Sequence, residues 1–144
     1  MRKSSKAFIV IVSVIVLCGC RPTISLFSEQ AYQQAVTLKI ESLAVMDEAH
    51  EPFDSHHDEV TELKKQLEIA HEYAKGRPNN QITTRQWEIL ADSSRNLLGG
   101  FLKRWKDSGT LSATFIQEAK GLVSDGFDTI IGLESGKIKP SEME

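Results

Sequence analysis

Thr83-Thr84-Arg85-Gln86-Trp87-Glu88-Ile89-Leu90-Ala91-Asp92-Ser93-Ser94-Arg95-Asn96-Leu97-Leu98-Gly99-Gly100-Phe101-Leu102-Lys103-Arg104-Trp105 is the stretch that decides the fold. Trp87, Leu90, Ala91, Ser94, Leu97, Leu98, Phe101, Leu102 and Trp105 return every three or four residues, the spacing that lines one face of a helix. Thr83 with Gln86 reads as a capping box, and Ile82 with Trp87 as its hydrophobic staple. Gly99-Gly100 interrupts the pattern at about 1 kcal/mol per glycine relative to alanine, so a bend or a break into two helices is expected there. Lys103, Arg104 and Lys106 sit at the negative end of the helix dipole, and Gly109 closes the segment.

The flanking sequence repeats the pattern. Upstream, Ser28 is the expected cap of a first helix running to about His50 and stopped by Pro52, with Phe27 and Tyr32 as its staple. Its apolar residues, among them Ala35, Leu38, Ile40, Leu43, Val45 and Met46, cover a wide arc that suggests contact with more than one neighbour. Ser55 and Asp58 read as an acidic capping box opening a second helix. That helix carries a narrow stripe of Val60, Leu63, Leu67, Ala70 and Ala74, and Gly76 is its expected left-handed C-terminal residue. Downstream, Leu111 and Ile116 staple a helix capped by Ser112, with Phe115, Ala119, Leu122, Val123, Gly126, Phe127 and Ile130 facing inward. Four amphipathic segments joined by short loops make an all-α, antiparallel up-and-down bundle over residues 28–134, with a flexible tail at 135–144.

The first twenty residues differ in kind. Arg2, Lys3 and Lys6 precede an apolar run from Ala7 to Cys18, then Gly19-Cys20, the composition of a secretory signal whose core is too short for a permanent span. Leu17-Cys18-Gly19-Cys20 resembles the lipobox of bacterial lipoproteins. That resemblance implies cleavage after residue 19 and diacylation of Cys20, which becomes the lipidated start of a tether at residues 20–27. Lipoproteins retained at the inner membrane commonly carry aspartate after the cysteine. Arg21 stands there, which by resemblance implies the outer membrane facing the periplasm in a Gram-negative cell. In a Gram-positive cell the domain would stand on the outer face of the membrane.

Charge and cysteine usage narrow the partners. Of 17 Lys and Arg, three fall before Cys20, so residues 20–144 carry 14 against 20 Asp and Glu, about −6. An acidic surface repels nucleic-acid backbones and anionic lipid, so no nucleic-acid partner is expected and membrane attachment falls to acyl chains. Both cysteines lie at the start, which leaves the domain without a thiol nucleophile or a cysteine-ligated metal.

Two groups of polar residues have the composition of a chemical site. His50, His56 and His57 lie among Glu48, Glu51, Asp54 and Asp58 around the first turn. Imidazoles beside carboxylates make weak candidates for a transition metal, but the spacing matches no rigid ligand pattern, and a solvated loop is the expected state. Asp47-x-x-His50 and Glu68-x-x-His71 invite comparison with di-iron bundles, yet Glu68 falls about 130° from its helix's apolar stripe. No Gly-x-Ser-x-Gly elbow or phosphate loop occurs, so neither catalysis nor a cofactor is expected. The reading is a lipid-anchored envelope protein whose helical domain scaffolds or contacts another envelope protein. Trp105, Lys103 and Arg104 are its candidate interaction surface. The alternative is a small apolar ligand held in a cavity among Phe101, Trp105, Phe115 and Phe127.

Overall fold

The computed structural model describes residues 25–143. Five α-helices follow in order: α1 Glu29–Asp47, α2 His57–Gly76, α3 Gln81–Ala91, α4 Leu98–Ser108 and α5 Ala113–Glu134. Short 3-10 turns at Glu48–His50 and Phe53–His56 join α1 to α2, and another lies at Pro140–Glu142. Among the described residues there is no strand, and no helix is long and apolar enough to cross a membrane.

The expected antiparallel bundle is present. α1 packs between α2 and α5, α3 packs between α2 and α5 on the other side, and α4 lies against α3 and the Phe53–His56 turn. Salt bridges fix the relative direction of α1 and α5: Lys120, near the start of α5, meets Asp47 at the end of α1, while Lys39 meets Asp128 at 2.6 Å. The core runs from Ala35 and Leu38 through Leu67, Trp87 and Phe127 to Trp105, which is 0% exposed. Each large apolar side chain removed from water in this way contributes about 1.5–3 kcal/mol.

Two helix starts follow the expected local chemistry. Ser28 Oγ accepts from the Ala31 amide at 3.2 Å, and the Phe27 and Tyr32 rings stand 6.3 Å apart. Ser112 Oγ accepts from the Phe115 amide at 3.4 Å, and Ile116 is buried behind it. The α2 stripe is buried as read, at Val60, Leu63, Leu67, Ala70 and Ala74. Gly126 permits close approach between helices, since a Cβ there would stand 3.2 Å from Leu90 Cδ1.

Other starts are displaced, each by a tertiary contact. The Ser55–Asp58 capping box does not form; burial of Phe53 against Trp105, at 5.3 Å between ring centroids, pulls residues 53–56 into a 3-10 turn, and α2 begins at His57. The Thr83–Gln86 box does not form either. Asn80 is buried at the start of α3 and donates its amide to the Ala74 carbonyl at 3.0 Å, tying the end of α2 to α3 and leaving Thr83 inside the helix. Gly76 remains the last residue of α2, and Asn79 takes the left-handed conformation instead, at φ 56°.

The break in the long third segment lies upstream of the glycines, across residues 92–97, so Ser94 is exposed rather than on the inward face. Asp92 shapes this loop by accepting from the Ser94 amide at 2.8 Å and hydroxyl at 2.7 Å. Gly99 and Gly100 lie in the first turn of α4, pressed against the chain just left behind: a Cβ on Gly99 would overlap the Ala91 carbonyl oxygen, and one on Gly100 that of Arg95.

One residue of the arc on α1 and one of the inward stripe on α5 face solvent instead. Ile40 is 65% exposed, because the buried α1 residues keep to one seam through Ala31, Ala35, Leu38, Ser42 and Val45, and Leu122 on α5 is 52% exposed. Of the tail expected from 135, the first residues belong to the fold. Gly136 turns the chain at φ 72°, the Ile138 amide donates to the Gly132 carbonyl at 3.0 Å, and Ile138 covers Gly132.

Candidate functional site

The two ends of the bundle differ in character. At the end where the chain enters, Arg77 donates to the Glu134 carboxylate and to the Leu26 carbonyl, while the Ser28 and Tyr73 hydroxyls share a hydrogen bond at 3.1 Å. Leu26 and Ser28 are therefore held at this pole. Cys20 itself lies outside the described residues. The opposite pole is reached along α1, whose 19 residues rise about 28 Å.

That distal pole carries the histidine cluster. Its backbone is fixed at three points: the Leu111 amide donates to the Ala49 carbonyl at 2.8 Å, the Phe53 amide to the Gly109 carbonyl at 2.9 Å, and Trp105 Nε1 to the Glu51 carbonyl at 3.0 Å. On this frame His56 stands between two carboxylates, with Nε2 3.0 Å from Glu51 and Nδ1 3.3 Å from Glu59. Its ring lies over Trp105 at 5.5 Å and its side chain is only 15% exposed. The hydrogen bond to Glu51 holds the imidazole above its ordinary pKa, against the opposing pull of desolvation; Glu59 adds to the rise. His50 places Nδ1 2.7 Å from the Asp47 carbonyl and Nε2 3.8 Å from Glu51 Oε1. His57 stands apart, on the first turn of α2, with Nδ1 3.3 Å from Asp58.

Of the residues expected to form an interaction surface, Lys103 and Arg104 are exposed and Trp105 is not. The indole is fully enclosed because α4 turns its apolar face toward Phe53 and His56, so Trp105 acts as the floor of the distal pole. Lys103 pairs with Asp107, and the Arg104 guanidinium lies 4.3 Å over the Phe115 ring. Phe101 and Phe127 are buried in the core, and Phe101 stacks on Phe115 at 6.0 Å. Those four large residues thus fill space that the ligand alternative had assigned to a cavity.

A cleft of about 720 Å³ opens elsewhere, between α2, α3 and α4. Leu67, Trp87 and Leu102 contribute its apolar lining, with Lys64 and Lys106 at its edge and His71 within it. Glu68 and His71 both line this cleft, which removes them from any inward-facing di-iron arrangement. Asp47, the partner in the other such pair, is engaged by Lys120. No sequence signal marked the cleft, because its wall is shared by three helices whose relative placement depends on the break at 92–97.

Known protein families, curated proteins and solved structures contain no match to this chain.

Proposed function

We propose that this chain is a lipid-anchored, non-catalytic interaction module of the bacterial cell envelope. Cys20 carries the acyl chains, and the helical domain presents its distal pole to an envelope protein. Because Arg21 stands where inner-membrane lipoproteins commonly carry aspartate, a Gram-negative host holds it at the outer membrane, facing the periplasm. A Gram-positive host holds it on the outer face of its membrane. The observation that carries the reading is the polarity of the bundle. Leu26, six residues after Cys20, is bound at one end by Arg77, and a turn fixed at three backbone points stands about 28 Å away at the other. Acyl chains supply attachment that an acidic domain surface does not, at about 0.8 kcal/mol per buried methylene.

Photo-crosslinking in intact cells tests the partner half of this reading. A crosslinker at exposed Asp54, on the distal pole, is expected to trap one discrete protein adduct, and the same group at Lys137 near the anchored pole is expected to trap none. Equal labelling at both positions, or no adduct at Asp54, contradicts a distal docking face.

The cleft supports a second reading, a module for a small apolar ligand bearing an anionic group. Leu67, Trp87 and Leu102 would take the apolar body, and Lys64 and Lys106, which have no carboxylate partner among the described residues, would take the charge. Quenching or shift of Trp87 fluorescence on titration with dodecanoate, lost in Lys64→Gln/Lys106→Gln, distinguishes this from the protein-docking reading.

A further inference from the structure

We infer that the turn at the end of α1 binds a divalent transition-metal ion of the zinc type through His50 Nε2 and the carboxylates of Glu48 and Glu51. The donor atoms of these three residues all lie within 4.8 Å of one another. Zinc sits about 2.0–2.2 Å from such donors, which places two tetrahedral ligands about 3.4 Å apart. Rotation of exposed side chains covers that small difference without moving the backbone.

The convergence has a local cause. Glu48–His50 is a 3-10 turn, with Glu51 as its C-terminal cap. In a 3-10 turn residues three apart eclipse one another, so Glu48 and Glu51 project from the same side. At α-helical spacing His50, two residues after Glu48, would face away from it, which is why Glu48-x-His50-Glu51 reads as no ligand pattern in the sequence.

The surrounding hydrogen bonds orient the donors. His50 Nδ1 donates to the Asp47 carbonyl at 2.7 Å, a bond that keeps the proton on that nitrogen and leaves the Nε2 lone pair free. Metal-bound imidazoles are commonly held in this way by a backbone carbonyl. Nε2 then stands 3.8 Å from Glu51 Oε1, too long for a hydrogen bond but short enough for an ion to bridge. The other oxygen of Glu51 is taken by His56 Nε2 at 3.0 Å, which fixes the carboxylate plane. Because the backbone from Ala49 to Phe53 is tied to Leu111, Gly109 and Trp105, the ligands start from a frame that need not order on binding.

The donor set selects the class of ion. One imidazole nitrogen with two carboxylate oxygens suits zinc, nickel or cobalt, whereas calcium and magnesium favour all-oxygen shells. Two carboxylates balance the ion's double charge, and three protein ligands leave a position for water. His57 takes no part, since it belongs to α2 and faces Asp58.

Isothermal titration of the full chain in detergent, without a histidine tag, with zinc sulfate is the test. One ion per chain is expected. His50→Gln and Glu48→Gln should each weaken binding at least about tenfold, His56→Gln by about 10–100-fold through loss of the oriented Glu51, and His57→Gln not at all. Far-UV circular dichroism should be unchanged in all four, because the altered side chains lie outside the core. Absence of one-to-one zinc binding, or binding of wild-type strength in His50→Gln, overturns the assignment.

Discussion

Trp105 donates its indole N–H to the main-chain carbonyl of Glu51 across 3.0 Å, so the largest fully buried side chain is tied directly to the polar distal turn. That bond joins core to surface beside the ring contacts of Trp105 with Phe53 and His56. Trp105→Phe keeps an aromatic ring under Phe53 and His56 but removes the donor and part of the packing. Urea denaturation should register a loss of about 2 kcal/mol. The same variant should weaken zinc binding at the turn. Unchanged stability would mean that the turn is held by its backbone bonds to Leu111 and Gly109 alone.

Gly99 and Gly121 predict opposite responses to alanine. In Gly99→Ala the new methyl meets the backbone oxygen of Ala91, which cannot yield without moving the end of α3, and a loss of about 1–3 kcal/mol is expected. Gly121 lies on the exposed side of α5 with nothing within 4 Å of a Cβ, so Gly121→Ala should gain up to about 1 kcal/mol from helix propensity. Thermal melts of the two variants on opposite sides of wild type would bear this out. A stabilised Gly99→Ala would contradict the close approach.

Arg77 ties Leu26 to Glu134 at the end of the bundle where the chain enters. Its partner Glu134 has a side chain only 3% exposed, so Arg77→Leu leaves a carboxylate buried without its cation. A loss of about 3–5 kcal/mol is expected in chemical denaturation. Arg77→Leu/Glu134→Leu should recover much of it, because no charge is then stranded. A double variant as unstable as the single one would show that the pair matters for shape rather than charge.

Asp92 gives the break at 92–97 a pH dependence of known sign. The Ser94 hydroxyl and amide hold its carboxyl below the ordinary value of 3.8, with Arg95 adding to the effect. A depressed folded-state pKa means that the stabilisation is fully present above the unfolded value and is lost as pH falls through the folded one. The melting-temperature gap between wild type and Asp92→Ala should therefore be widest near neutral pH and narrow on acidification below 3.8. A gap independent of pH would remove the ionised cap from the account.

Much of the bundle could be read from local pattern because the relevant forces are local. Ser28 and Ser112 cap as their neighbours suggest, and the α2 stripe is buried residue for residue. The misreadings share one origin. Asn80 displaces Thr83 by reaching across to Ala74, Phe53 displaces Ser55 by packing on Trp105, and Gly99 serves contact with Ala91 rather than a bend. Each is a contact made outside the helix concerned, and it outweighs a local preference. The candidate site was half legible for the same reason: its histidines and carboxylates stood out in the sequence, but their convergence on Glu51 depends on a 3-10 turn and on the indole beneath it.

The central claim is that Cys20 anchors this domain through lipid, and intact mass spectrometry of the mature protein from a lipoprotein-processing host tests it most directly. The expected product has an N-terminus at Cys20 carrying the added mass of acyl chains, with Cys20→Ser unprocessed at that site and unacylated. A chain beginning at Arg21 should remain water-soluble and equally helical, since every described helix starts after residue 28. A mature wild-type N-terminus other than Cys20, or an unmodified Cys20, would contradict both the anchor and the envelope location built on it.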